Sequence, residues 1–309
     1  MKRIISLILS LCFIFSLCGC SEKKENNQPK TENKLNIVCT IFPPFDFARE
    51  IAGDKAEIKR IIEPGIESHG YEPTLQDIAA IDNCDIIIYV GGNTDSWVEK
   101  IIKNSSKKDK KIIKFLDIIE PLALDEEHHQ GQHQPSDIDE HVWTSPKNAI
   151  VLIEKISEAI CEIDKENNEF YKYNTENYLK EIENLHNELE EIVEKSAKKP
   201  LIFGDRFPFR YLVKDYGISY YAALAGCTSD TEPTISSINN LVSKIEENEV
   251  EIVFYVDSSD GTVADKICSL TGTQKKLLHS CHNISADELE ENYVSLMKKN
   301  IEVIKEALG

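Results

Sequence analysis

The sequence predicts an α/β fold of two lobes, each built on a parallel sheet and joined to the other by one long helix. At 309 residues the chain is longer than one typical domain. Apolar runs that suit buried strands alternate with helical segments on both sides of residues 166–198, a helical pattern without glycine or proline. Because such alternation favours parallel sheets with crossover connections, we expect Rossmann-like lobes at 35–165 and 199–309, bridged by a rigid helix at 166–198.

The N-terminal segment is predicted to target the chain for export and to tether it, and not to belong to the folded lobes. A basic pair precedes an apolar run over 4–17, which is too short for a membrane span but typical of a signal peptide. The run leads into Leu-Cys-Gly-Cys, which resembles a bacterial lipobox, so we expect 1–20 to be a lipoprotein signal with Cys20 lipidated. The polar segment 21–34 predicts a disordered tether. The folded part is then expected outside the cytoplasm, anchored to the bacterial cell membrane by acyl chains.

In the first lobe, apolar runs and turn residues predict strands with helices between them. The strands lie at 35–40, 56–62, 85–90 and 111–115, and the helices at 47–53, 74–83, 96–103 and 146–163. The run at 85–90 is continuously apolar, which is typical of a parallel strand buried on both faces. Thr74, followed three residues later by Asp77, predicts a capping box at the start of a helix.

The second lobe shows the same alternation after the long helical pattern. Strands are predicted at 201–203, 219–224, 250–256 and 276–278, and helices at 206–216, 234–248, 262–271 and 286–308. The apolar residues of the long helix and of the helix at 234–248 recur at three- and four-residue spacings. This is a second unit of the same kind, although no internal repeat aligns with the first residue by residue.

Histidines stand in predicted loops that are far apart in sequence. His69 follows a strand and a Pro-Gly turn, His141 stands just before a helix start, and His279 ends an apolar pair with His282 close behind. Loops at the carboxyl ends of parallel strands are where such folds bind ligands. Imidazole suits zinc and other transition metals, whereas calcium and magnesium prefer oxygen donors. The histidines therefore predict a transition-metal site assembled between the lobes.

Charge and cysteine usage narrow the function classes. The formal net charge of −19 argues against a nucleic-acid partner, because phosphate binding needs stripes of lysine and arginine. It suits a protein that handles cations, and a well-solvated acidic surface would fit equally. The cysteines contain no C-x-x-C pair, so a zinc ribbon is not expected. Cys227 and Cys281 lie in loops near the expected site, and a Cys227–Cys281 disulfide is a hypothesis.

Taken together, the motifs resemble the lipid-anchored solute-binding proteins of bacterial metal-uptake ABC transporters, in the zinc/manganese class. The likeness covers nearly the whole mature chain. It rests on these blocks: Thr40–Phe47, Gly53-Asp54, Pro64-Gly65, Ser68–Thr74, Asp85–Gly91, Asp139–Trp143, Val213–Ile218 and Thr271-Gly272. The resemblance implies two lobes bridged by one helix, with a metal ion held between them by side chains of both.

The resemblance also implies the ligands. In the first lobe they are His69 and His141. In the second lobe, counting back from the Lys214–Gly217 block places Arg206, which stays protonated and cannot ligate, where the family has a histidine or glutamate. Counting forward from the Thr-Gly pair that ends the next helix places His279 at the last ligand position.

We therefore expect His69, His141 and His279 to bind the metal, with His282, Asp205 or water in a fourth position. The absence of the carboxylate found in manganese-selective members favours Zn²⁺ over Mn²⁺. Because a ligating histidine must be neutral, affinity should fall below a pH of about 6.5. The implied function is capture of a divalent metal by a monomer, which delivers it to an ABC permease driven by a cytoplasmic ATPase.

Three further hypotheses remain open at this point. The tract at 125–133 carries His128, His129 and His133, which either capture metal loosely or belong to a plain solvated loop. A zinc-dependent hydrolase would use the same three imidazoles with an open position, although no H-E-x-x-H or G-x-S-x-G motif is present. A metal-binding surface adhesin is the other alternative.

Overall fold

Two four-stranded parallel sheets organise the part of the chain that the computed structural model describes, residues 34–123, 138–224 and 232–309. The predicted fold class is confirmed. The predicted signal peptide, lipidated Cys20 and tether lie outside these residues, apart from Lys34. Among the described residues, no helix combines the length and the apolar character that a membrane span requires.

The first lobe follows the predicted alternation closely. Its elements are β1 (Leu35–Cys39), α1 (Phe42–Ala52), β2 (Ala56–Arg60), α2 (Leu75–Asn83), β3 (Ile86–Tyr89), α3 (Ser96–Asn104), β4 (Lys111–Lys114), α4 (Phe115–Ile118), β5 (Leu122–Ala123), β6 (Ile138–Asp139) and α5 (Pro146–Ile163). The sheet order is β2-β1-β3-β4, and β3 is buried along its whole length, as its apolar run predicts. Thr74 and Asp77 form the predicted capping box.

The long helix, α6 (Asn168–Lys195), has 28 residues and packs on both lobes. At about 1.5 Å per residue it extends roughly 42 Å. It contacts α1 and α5 of the first lobe and the last helix of the second. Its buried stripe recurs at three- and four-residue spacings and consists of Tyr171, Thr175, Tyr178, Ile182, Leu185, Leu189 and Val193.

The second lobe comprises β7 (Leu201–Phe203), α7 (Arg210–Tyr216), β8 (Tyr220–Ala222), α8 (Ile235–Asn248), β9 (Ile252–Tyr255), α9 (Thr262–Thr271), β10 (Gln274–Leu277) and α10 (Tyr293–Leu308). Its order, β8-β7-β9-β10, is the order of the first sheet, with the second strand beside the first and the third beyond it. The helix predicted from residue 206 begins only at Arg210, because Pro208 disfavours helix at the residue before it. The closing helix begins at Tyr293 rather than 286, after a short 3₁₀ turn.

Buried polar contacts join the two lobes at the level of the sheets' carboxyl ends. The Trp143 indole donates to the Ser280 carbonyl at 2.9 Å, and the Tyr293 hydroxyl donates to the Trp143 carbonyl at 2.7 Å. Asp46 of α1 accepts the Tyr293 backbone N–H at 2.9 Å. These groups are buried, so breaking the contacts without replacement would leave unsatisfied polar atoms in the core.

Candidate metal centre

Three imidazole rings meet between the lobes. His69, His141 and His282 each present a ring nitrogen such that all three atoms lie within 4.8 Å of one another. The ring centroids are 6.1 Å apart for His69 and His141, 5.0 Å for His69 and His282, and 5.2 Å for His141 and His282. Each ring stands in a loop after a strand: β2, β6 and β10 respectively.

Hydrogen bonds between two loops bring His282 to His69. The Asn283 amide donates to the carbonyls of Glu63 and Ile66 at 2.8 and 2.9 Å. The Gly65 N–H donates to the Ile284 carbonyl at 2.8 Å. These contacts dock the loop that follows β10 onto the loop that follows β2, so the two histidines meet although they are far apart in sequence.

The His69 ring is oriented by a threonine from a neighbouring loop. Thr94 Oγ1 lies 3.2 Å from His69 Nδ1. The other nitrogen, Nε2, is buried and has no hydrogen-bond partner among the described residues. A proton on Nδ1, donated to the threonine, leaves the Nε2 lone pair facing the site, which is the arrangement that metal ligation needs.

A glutamate from the His141 loop holds the loop that carries Thr94. The Glu140 carboxylate accepts the backbone N–H groups of Asn93 and Thr94. Gly92, at φ +75°, packs so closely that a Cβ there would lie 2.2 Å from Glu140 Oε1. A larger residue would be strained at this positive φ and would have to displace the Glu140 side chain. The sequence reasoning missed Glu140 and Thr94, because only the folded loops show that they act together on His69.

His141 is oriented by a carboxylate. Its Nδ1 lies 2.9 Å from Asp139 Oδ1, which also accepts the His141 backbone N–H at 2.8 Å. The other Asp139 oxygen lies 3.7 Å from Arg210 Nε. Because the carboxylate accepts a hydrogen bond, the proton belongs on Nδ1. Nε2 then carries the lone pair that a metal would use. Carboxylate, histidine and metal in series is a common arrangement at zinc sites.

His282 is buried, like His141. Its Nε2 lies 2.9 Å from Ser68 Oγ. Burial, followed by the nearby His141 and His69 rings, lowers the pKa of His282 well below the usual value of 6.5. The ring is therefore neutral at physiological pH and keeps a lone pair available.

The structure differs from the prediction at the third histidine, because His282 rather than His279 joins His69 and His141. His279 Nδ1 accepts the Cys281 N–H at 2.9 Å, and its Nε2 lies 3.4 Å from Glu288 Oε1. Its backbone is bound to Asn300 of α10 through both N–H and C=O. Cys281, which stands between the two histidines and directly precedes His282, has a left-handed backbone at φ +55°.

The remaining predicted residues have mixed outcomes. Asp205 is buried at the carboxyl end of β7, where Oδ1 accepts the Arg206 N–H at 2.8 Å and Oδ2 has no partner among the described residues. It is not part of the cluster. Cys281, one half of the hypothesised disulfide, is a buried thiol, and burial raises its pKa. Its proposed partner Cys227 lies outside the described residues, as do His128, His129 and His133.

The chain is a two-lobed α/β protein with a nitrogen-donor metal site. Its two sheets have the same strand order, one helix packs on both lobes, and each lobe contributes imidazoles. Comparison with known proteins gives the family. The chain belongs to the family of zinc-uptake complex component A periplasmic proteins (ZnuA), whose sequence pattern matches residues 37–307.

Individual relatives match nearly the whole of this chain, and a solved structure shares its fold. The zinc-binding lipoprotein AdcA of Streptococcus pneumoniae is 29% identical over 313 residues, which cover 99% of this chain but 61% of AdcA. The high-affinity zinc uptake system protein ZnuA of Bacillus subtilis is 29% identical over 309 residues, covering 97% of this chain and 96% of that protein. The crystal structure of the Zn(II)-bound ZnuA-like domain of S. pneumoniae AdcA matches with a TM-score of 0.74 and 27% identity, over 89% of this chain and 99% of that one.

Proposed function

We propose that this protein captures Zn²⁺ outside the cytoplasm and delivers it to an ABC-type metal permease. The observation that carries the proposal is the meeting of His69, His141 and His282, contributed by both lobes, with one nitrogen of each within 4.8 Å of the others. The names of the relatives, zinc-binding lipoprotein and high-affinity zinc uptake protein, support the same metal.

The geometry suits zinc after a small contraction. Tetrahedral Zn–N bonds of about 2.0–2.1 Å place nitrogens roughly 3.3 Å apart. Since the three nitrogens lie within 4.8 Å, each pair has to close by about 1.5 Å or less. Side-chain rotation within loops supplies such a movement without parting the lobes. The all-imidazole donor set favours Zn²⁺ over Mn²⁺, which prefers oxygen ligands.

We assign the fourth position to water. Among the described residues, only the three histidines bring ligand atoms within 4.8 Å of one another, and Asp205 is not part of that group. Arg206, where the family resemblance implies a ligand, is a permanent cation and cannot take that place. Its guanidinium Nη1 lies 3.5 Å from the Ser258 carbonyl.

Anchoring and delivery follow from the predicted N-terminus and the family. We propose that Cys20 carries acyl chains that tether a monomer to the outer face of the cell membrane, so that captured metal stays near the permease and its cytoplasmic ATPase. Family membership favours this function over the zinc-hydrolase and adhesin alternatives, since the relatives carry names of uptake and zinc binding.

Titration of the metal-free protein with Zn²⁺ against a chromophoric chelator tests the proposal. We expect one tightly bound ion per chain, with Mn²⁺ competing weakly. In parallel, a strain that lacks the gene should grow poorly in chelated medium and recover with the wild-type gene and added zinc. A chain that binds no zinc, or a strain whose zinc uptake is unchanged by the deletion, would contradict the function.

A further inference from the structure

Two kinds of lysine occupy one end of the first lobe. The last turns of α3 and the connection to β4 carry six lysines within residues 100–111. Three of them, Lys107, Lys110 and Lys111, bond to carboxylates or carbonyls of the lobe's body. These three hold the connection in place, so the fold itself explains them.

The other three lysines have no such role. Lys100, Lys103 and Lys108 are exposed, and none of them forms an ion pair with an acid in the described part of the chain. They are neighbours: Lys100 and Lys103 lie one turn apart on α3, and Lys108 Nζ donates to the Lys103 carbonyl at 3.1 Å. We call these three residues the lysine surface. A single exposed lysine is ordinary, whereas three adjacent ones without an acid stand out in a chain with 54 acidic and 35 basic residues.

The connection that carries the lysine surface has a fixed conformation. Asp82, at the end of α2, accepts hydrogen bonds from the Ser105 hydroxyl and from the N–H and hydroxyl of Ser106. These bonds lower the pKa of Asp82 to about 2, so its negative charge is used within the connection. The six lysines then face four acids, which leaves an excess of positive charge at this end of the lobe. The acids are Asp82, Asp85, Asp109 and Glu162.

The lysine surface lies where the chain enters the fold. Asp85 binds Lys107 at 2.6 Å and also accepts the backbone N–H of Asn36, the second residue of β1, at 2.9 Å. The predicted tether at 21–34 leads directly into β1, and a chain of this length spans roughly 50 Å at most. Anchoring at Cys20 would therefore hold the lysine surface close to the membrane.

A membrane at this end would leave the metal site open. In a parallel sheet all strands begin at one edge and end at the other. The chain enters at the amino edge, whereas the loops that carry His69 and Thr94 follow the carboxyl ends of β2 and β3. Lipid contact at the amino edge is thus compatible with zinc capture.

We propose that the lysine surface binds the anionic headgroups of the membrane to which Cys20 tethers the chain. This rests on the anchoring in the proposed function. Each lysine at an anionic bilayer contributes a factor of about five in affinity, so three contribute about 100-fold. That is too little to hold a chain of net charge −19 on the membrane without an anchor. It is enough to select one orientation of a chain that is already anchored, with the amino edge of the first sheet toward the lipid.

Amide hydrogen exchange of the mature lipoprotein on vesicles tests the proposal. The wild type is anchored in phosphatidylcholine vesicles or in vesicles that also contain phosphatidylglycerol, and exchange over residues 105–111 is compared between the two. We expect exchange to slow about 3-fold or more on the anionic vesicles. The difference should disappear in about 1 M salt, where the Debye length is about 3 Å.

Charge reversal shows whether the lysine surface is responsible. Lys100→Glu/Lys103→Glu/Lys108→Glu should remove the slowing, whereas arginine at the same three positions should keep it, because the charge is retained. Each variant is compared with itself on the two kinds of vesicle, so differences in intrinsic exchange rate cancel. Zinc affinity should be unchanged in both variants.

A matched control makes the same change of charge elsewhere. Lys180→Glu/Lys266→Glu/Lys298→Glu replaces three exposed lysines outside the lysine surface. It should keep the slowing over 105–111 within about 2-fold of the wild type, since charges farther away than a Debye length are screened.

Three results would overturn the assignment. The first is equal exchange of the wild type on both kinds of vesicle. The second is loss of the slowing in the control variant as well, which would make it an effect of overall charge. The third is equal slowing by soluble polyphosphate on neutral vesicles, since a free polyanion would then be the ligand. Failure of the proposed anchoring looks different: the intact mass of the wild type then shows no acyl chains, and the protein sediments with neither kind of vesicle.

Discussion

Two histidines three residues apart, His279 and His282, have opposite environments. His282 faces other imidazoles, and burial lowers its pKa well below 6.5, so it is a neutral ring that can donate a lone pair to a metal. His279 faces Glu288, and its Nδ1 lone pair is used by the Cys281 N–H. The contact with His279, followed by other hydrogen bonds, lowers the Glu288 pKa to about 2. The comparison teaches that neighbouring charges and loop contacts, rather than residue type, decide which imidazole is available to a metal.

The largest expected effect is the loss of zinc affinity when His282, but not His279, is replaced. His282→Ala should lower zinc affinity by about 100-fold or more, because each imidazole ligand contributes several kcal/mol to the binding of zinc. His279→Gln should change it less than about 3-fold. Competition with a chromophoric chelator measures both. If His279→Gln loses zinc as strongly as His282→Ala, the contrast between the rings is mistaken.

The low pKa of His282 should appear in the stability of the metal-free protein. Below about pH 6.5 the unfolded chain protonates this ring while the folded chain does not, so the unfolded state binds more protons and stability falls with falling pH. The slope from this group approaches about 1.4 kcal/mol per pH unit and is absent above pH 6.5. Urea unfolding in chelator from pH 7.5 to 5.0 checks it. His282→Gln should remove that part of the slope, and an unchanged slope would show that the ring is not buried in a neutral state.

A smaller effect concerns how the His69 ring is oriented. Thr94→Val keeps the shape of the side chain but removes the hydroxyl beside Nδ1, and it should lower zinc affinity about 10-fold, as losses around a ligand commonly do. Thr94→Ser is the matched control and should retain most of the affinity. Equal affinities in the two variants would mean that the hydroxyl does not orient the ring.

The smallest effect tests the fourth position. Asp205→Asn should leave zinc affinity within about 2-fold of the wild type if water completes the site, since the site then loses no ligand. A drop comparable to that of His282→Ala would instead make Asp205 a ligand.

Features set by local sequence could be predicted. The continuous apolar run that became β3, the Thr74–Asp77 capping box and the long amphipathic helix are encoded within short windows, so pattern alone identified them. His69 and His141 were placed in loops for the same reason, since turn residues flank both.

The features of the site that could not be predicted from the sequence depend on the paths of loops. The hydrogen bond of Asn283 to the opposite loop, next to the left-handed backbone at Cys281, brings His282 rather than His279 close to His69. Neither feature can be recognised by counting residues from the end of a helix. The contact of Glu140 with the Thr94 loop joins segments 46 residues apart.

The junction built on Trp143, Tyr293 and Asp46 has a mechanical consequence. Wide separation of the lobes would break buried hydrogen bonds at Ser280, Trp143 and Asp46 and expose aromatic side chains of the core to water. A shift of the β2–α2 loop would leave those bonds intact, and it would break the contacts of Ser68 with His282 and of His69 with Thr94 together with surface hydrogen bonds at Asn283 and Gly65. A local displacement of that one loop therefore opens the region beside His69 while the aromatic junction between the lobes stays closed.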